Sequence, residues 1–161
     1  MNYNLDLIRN EMKKLIALIA MIAIAAGSAF AFIDSYTIDR SKLPEDAKIF
    51  LNEYFPRAKV GMIRIDRHLL KKSDYDVRLV NGTTIEFSNK GKWKSVKCRD
   101  KAVPDGIIPA AIRRHVKNNY TEVYIKSIVK KSGSYEVGLS DGVILKYNLL
   151  GQFKGAIMEE P

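Results

Sequence analysis

Residues 75–96 and residues 135–156 carry one pattern sixty positions apart. The first stretch reads Tyr75, Val77, Leu79, Gly82, Ile85, Phe87, Gly91 and Trp93. The second reads Tyr135, Val137, Leu139, Gly142, Leu145, Tyr147, Gly151 and Phe153. Eight positions match in type without a gap. The same offset lays Leu43-Pro44 on Val103-Pro104. An internal repeat constrains architecture more than any single motif. Two copies are too few for a solenoid, so a shared core is expected.

Side-chain alternation fixes how each hairpin must pair. Tyr75, Val77 and Leu79 alternate with Asp76 and Arg78; Ile85 and Phe87 alternate with Thr84, Glu86 and Ser88. A two-residue turn at Asn81-Gly82 would set Leu79 against Thr84 and mix the two faces. A three-residue loop, 80–82, sets Leu79 against Thr83, Val77 against Ile85 and Tyr75 against Phe87. That loop needs a left-handed residue at its end, and Gly82 supplies one. Gly142 stands in the same place in the second copy. Gly91 and Gly151 do so at the next turn, putting Phe87 beside Trp93 and Tyr147 beside Phe153.

Each copy opens with a helical stripe. Leu43, Ala47, Phe50, Leu51, Tyr54 and Phe55 recur at helical spacing. Pro44 suits a first turn, Glu45 and Asp46 complement the positive helix end, and Pro56 ends the run. In the second copy the stripe is Ile107, Ile108, Ala111, Ile112, His115 and Val116. Its regular part is expected to begin at Pro109, after a looser turn at Pro104-Asp105-Gly106. A first strand follows each helix, near 60–67 and 123–130. The fold class is therefore α+β: two tandem α-β-β-β-β repeats, an antiparallel sheet with helices packed on one face.

The N-terminus reads as an address. Met12-Lys13-Lys14 precedes an uncharged run from Leu15 to Ala26, and Ala29-Phe30-Ala31 closes it. A basic stub, an apolar segment and an Ala-x-Ala ending mark a secretory signal peptide, with the cut after Ala31. Residues 1–11 read as an upstream start extension. The rival reading is an uncleaved anchor, since the apolar character runs on through Ile33. The expected organisation is 1–31 signal, 32–42 linker, 43–100 first repeat and 101–158 second repeat. The expected location is periplasmic or secreted, with no stable membrane anchor after cleavage.

A leader followed twice by [Leu/Val]-Pro-helix and then Tyr-x-Val-x-Leu-x-x-Gly-x-x-[Ile/Leu]-x-[Phe/Tyr]-x-x-x-Gly-x-[Trp/Phe] resembles the PepSY-like family of small periplasmic proteins. That family is also described as beta-lactamase-inhibitor-like. The resemblance covers about residues 43–157. It implies tandem α+β units and export to the periplasm. It implies no reaction and supplies no binding motif, because the shared positions are core and turn positions.

Little in the sequence is arranged for chemistry. Cys98 is the only cysteine, so an intrachain disulfide and a cysteine-built metal site are excluded. Cys98 could act as a nucleophile beside a histidine, but it reads first as a small residue ending a strand. His68 lies in a polar stretch, and His115 sits on or beside a helix stripe as a core or boundary imidazole. Asp74 and Asp76 flank a strand start and read as solvated carboxylates. No phosphate loop or HExxH occurs. The expectation is no catalytic residue, no metal and no cofactor.

The charge balance points elsewhere. Lys+Arg number 27 against 18 Asp+Glu, a net charge of +9. Loss of residues 1–31 removes only Arg9, Lys13, Lys14, Asp6 and Glu11, so most of that excess stays. Arg78, Lys92, Lys94, Lys146 and Lys154 are expected on the face opposite the core. Merged across two sheets they would form a broad positive surface for an acidic envelope protein or an anionic envelope polymer. The plainer reading is a solvated face with edge-protecting lysines. Nucleic acid is not expected, because the aromatic residues turn inward. The sequence thus reads as an exported non-enzymatic binding or inhibitory module; the alternatives are a small periplasmic enzyme or a structural envelope component.

Overall fold

The computed structural model describes residues 34–66 and 74–158. The expected leader, its cut after Ala31 and His68 lie outside those residues. Nine strands form one antiparallel sheet, each beside its neighbour in sequence. They are β1 (Ser35–Thr37), β2 (Val60–Asp66), β3 (Asp74–Leu79), β4 (Thr84–Phe87), β5 (Trp93–Lys97), β6 (Ile125–Lys130), β7 (Ser134–Leu139), β8 (Val143–Asn148) and β9 (Phe153–Met158). Helix α1 (Glu45–Tyr54) precedes β2 and helix α2 (Ala110–Asn119) precedes β6. A helix followed by four strands therefore occurs twice in the element order.

The hairpins have the expected register. Val77 faces Ile85 and Tyr75 faces Phe87. Leu79 N–H donates to Thr83 O at 2.8 Å, and Gly82 has φ +82°. Phe87 faces Trp93 and Tyr147 faces Phe153, each beside a bulge. The bulges place Lys94 and Lys154 as the extra residues of β5 and β9.

One row of side chains crosses nearly the whole sheet. Ile63, Val77, Ile85, Val96, Ile128, Val137 and Leu145 stand directly opposite one another from β2 to β8. Each is essentially without exposed surface. Because opposed residues in an antiparallel ladder share a face, this row fixes the core side of every strand. Both helices pack on that side. Phe50 of α1 meets Phe87 edge to face at 5.5 Å. His115 of α2 stacks on Phe153 at 4.7 Å. The Val96–Ile128 pair joins β5 to β6, so both halves share one sheet and one buried cluster.

Both helices begin after proline. Pro44 and Pro109 stand at the N-caps, and Glu45 and Asp46 lie in the first turn of α1. A short 3₁₀ turn at Asp105–Ile107 precedes α2, the looser turn expected at Pro104-Asp105-Gly106. Two differences stand out. The segment expected as a linker over 32–42 contains β1, which pairs with Ile63–Ile65 of β2, and a 3₁₀ turn at Arg40–Lys42. Three residues are too short for alternation to reveal, so the sequence gives no sign of β1. The first strand after α2 begins at Ile125, not at Val123, because Glu122 turns through φ +61° just before it.

Candidate binding face

Among the described residues, nothing covers the side of the sheet away from both helices. At roughly 4.8 Å per strand, nine strands span about 40 Å. Two cross-strand rows form this face. One runs Tyr36, Arg64, Asp76, Glu86, Ser95, Val129, Glu136, Lys146 and Gly155. The other runs Met62, Arg78, Thr84, Lys97, Ser127, Gly138, Ile144 and Ile157.

Most charges of the first row are paired. Arg64 clasps Asp76 through Nε and Nη2 and reaches Asp34 at 3.4 Å. The Asp76 bond holds the guanidinium proton even more firmly than usual. Glu136 receives Lys131 at 2.7 Å and faces Lys146 across the ladder. Beyond that row, Lys94 reaches Asp74 at 2.9 Å, and this bond raises the ammonium pKa. The second row carries Arg78 and Lys97 and no acid. Neither makes an ion pair among the described residues. The open face is thus graded along its strands, from paired charges beside the β2–β3 connection to free cations near the β3–β4 turn. A depression of about 390 Å³ sits over β2–β4, with Tyr36, Met62, Arg64, Arg78 and Glu86 around it.

The five expected basic residues do not all share this face. Arg78 lies on it, Lys94 is held there by Asp74, and Lys146 stands in the first row. Lys154 occupies the β9 bulge, in the place Lys94 takes in β5. Lys92 is a correction. Its Nζ lies 2.7 Å from Asp46 on α1, toward the helix side. Alternation puts Lys92 beside Ser88, but the residue stands just before β5 begins, and its long side chain turns round the sheet end to the helix. The face is also mixed in charge, not broadly positive, because Asp74, Asp76, Glu86 and Glu136 share it. Arg64, Lys97, Tyr36 and Met62 belong to the site and were not anticipated. The alternation of Met62 and Arg64 around Ile63, and of Lys97 beside Val96, is the signal that marks three of them.

The residues considered for chemistry are separated. Cys98 is buried just beyond β5, and its N–H donates to Lys126 O at 2.9 Å. Burial raises its thiol pKa, against a smaller opposing effect from Thr83. His115 Nδ1 lies 2.9 Å from Tyr147 Oη, and its ring packs on Tyr120, Tyr147 and Phe153. The histidine is a boundary imidazole, as its stripe position suggests. Burial drives the Tyr147 phenol upward. Asp74 and Asp76 hold Lys94 and Arg64. Among the described residues, no group of three or more His, Cys, Asp or Glu side chains converges. No described helix is long and apolar enough to cross a membrane.

Comparison with known proteins places this architecture. A crystal structure from Bacteroides vulgatus ATCC 8482, described as a "putative periplasmic protein of unknown function", superimposes with TM-score 0.74 at 33% identity, covering 78% of this chain and 99% of that one. A second, from Bacteroides thetaiotaomicron, is described as a "putative calcium-regulated periplasmic protein". It superimposes with TM-score 0.73 at 31% identity, covering 77% of this chain and 96% of that one. No functionally curated protein matches the sequence. The model of the beta-lactamase-inhibitor-like, PepSY-like family matches residues 73–155, and the chain belongs to that family.

Proposed function

We infer that this protein is a periplasmic, non-enzymatic binding or inhibitory module that engages another envelope macromolecule through the helix-free face of its sheet. The observation that carries this reading is the asymmetry of the two faces. One is sealed by two helices over a continuous apolar row; the other is open across nine strands and ends in the unpaired cations Arg78 and Lys97. A sheet held by a full hydrogen-bond ladder needs little ordering on association. Tyr36, Met62 and Arg78 around the β2–β4 depression supply the residue types that anchor interfaces. The partner this favours is an acidic envelope protein or an anionic envelope polymer. Export through a cleaved leader, and descent of the two halves from one tandem α-β-β-β-β unit, belong to the same reading. Inhibition of a beta-lactamase is its narrower form and rests on the family's description.

The calcium regulation named for the Bacteroides thetaiotaomicron protein finds no matching cage among the described residues. Calcium takes six to eight oxygens. On the open face, Asp34 and Asp76 are engaged by Arg64, and Asp74 by Lys94. A cation would have to displace both side chains, so no part of this proposal runs through calcium.

The test is capture from a periplasmic extract at low salt with the wild-type protein and with Arg78→Glu/Lys97→Glu. The proposal expects a discrete partner that the double variant loses. No partner, or one indifferent to both reversals, would count against it.

A further inference from the structure

We propose that a second binding site lies on the helix side of the molecule and takes an acidic peptide segment bearing an apolar side chain. The site is a groove of about 610 Å³ between the end of α1, the β3–β4 turn and the connection after Cys98. Its apolar walls come from Phe55, Val80, Ala102 and Pro104. Val80 is 70% exposed, an unusual position for a β-branched residue at a turn. Thr83 and Cys98, both buried, close the floor.

Charge complementarity selects the occupant. Arg57, Lys59 and Lys101 line the groove, and no acidic residue does. None of the three makes an ion pair among the described residues. Arg99 adds a fourth cation next to the turn: a Cβ at Gly82 would stand 2.9 Å from its Nε. The exposed carbonyls ending α1 contribute only about half a negative charge, so the groove stays strongly positive. The groove beside α2 offers a contrast. It holds Arg113, Arg114 and Lys117 but also Asp105 and Glu122, and Arg113 already reaches Asp105 at 3.5 Å. Of these two grooves, only the one between the end of α1 and the β3–β4 turn is lined by cations with no acid among them.

Shape separates a peptide from a membrane. An open groove with apolar walls fits an extended segment that inserts one side chain between them and lays carboxylates against the rim. A flat anionic bilayer would meet the rim and leave the floor empty. This site is independent of the open-face reading, since its residues lie on neither cross-strand row.

The test is amide chemical-shift mapping and fluorescence anisotropy with a labelled peptide of alternating Glu and Leu. The expected result is a shift cluster at Val80, Asn81, Gly82 and Thr83. Affinity should fall at least tenfold in Lys59→Glu/Lys101→Glu and stay unchanged in Lys146→Glu on the open face. It should also fall severalfold in Val80→Asn, and for a Glu-Ser peptide lacking apolar side chains. Lys59, Val80 and Lys101 are exposed and Lys146 is half-buried at the sheet surface, so each variant should fold. Failure to bind the peptide, shifts confined to the open face, equal loss in Lys146→Glu, equal binding of the Glu-Ser peptide, or binding to phosphatidylglycerol vesicles in place of the peptide would each overturn the proposal.

Discussion

Gly91 lies against the backbone of Ala47: a Cβ there would stand 2.7 Å from the Ala47 nitrogen, at φ +78°. This contact seats the β4–β5 turn on the first turn of α1, and it brings Lys92 to Asp46. Gly91→Ala meets both a left-handed backbone penalty and a clash, so it should cost about 3 kcal/mol. Gly142→Ala has a similar φ, +91°, but open space around it, and should cost about 1 kcal/mol. Urea denaturation of the two variants checks the difference; equal costs would mean the turn does not press on the helix.

Val96 facing Ile128 joins the two halves in one sheet and one buried core, so they should unfold as one unit. Trp93, the only tryptophan, reports on the first half, while far-ultraviolet dichroism reports on both. Their unfolding curves should coincide. Ile128→Ala should lower stability by about 2–5 kcal/mol, as buried aliphatic truncations do, and shift both curves together. Two separated transitions would show that the halves fold independently.

Stability should decline in alkali. The Cys98 thiol and the Tyr147 phenol are both raised by burial, from ordinary values of 9.0 and 10.0. Groups with raised folded values contribute fully below their unfolded pKa. That contribution is lost as the pH climbs toward the folded one. Unfolding free energy should therefore begin to fall near pH 9. Cys98→Ser/Tyr147→Phe should flatten that fall, while losing about 1 kcal/mol at neutral pH with the His115 hydrogen bond. An unchanged slope in the double variant would contradict the assignment.

Lys92 and Arg78 should behave in opposite ways. The Lys92–Asp46 pair is exposed, so Lys92→Ala should change stability by less than about 1 kcal/mol and leave capture of an open-face partner intact. Arg78→Glu should leave stability nearly unchanged and weaken that capture. Thermal melts beside the capture assay separate the two effects.

Hairpin register could be read from the sequence because alternation and a closing glycine are local signals. Tyr75, Val77, Ile85 and Phe87 have only one pairing that gathers them on one face. The helix stripes were legible for the same reason. What escaped was set by distant contacts. β1 is recruited by the edge of β2, and only three residues of Ser-Tyr-Thr carry it. Lys92 sits where alternation assigns it, yet its ammonium group follows Asp46. The open face looked basic while its lysines and arginines were counted alone. Asp74 and Asp76 neutralise their partners only because β3 lies between Arg64 and Lys94. The groove beside α1 joins residues from three segments of the chain, and no window of sequence contains it.

The most direct test of the open-face account is site-specific photo-crosslinking in the intact cell envelope. A photoreactive residue would replace Lys97 on the open face in one sample and Lys48 on α1 in another. The account predicts a discrete macromolecular adduct from position 97, abolished by Arg78→Glu, and none from position 48. An adduct from position 48 alone would contradict it.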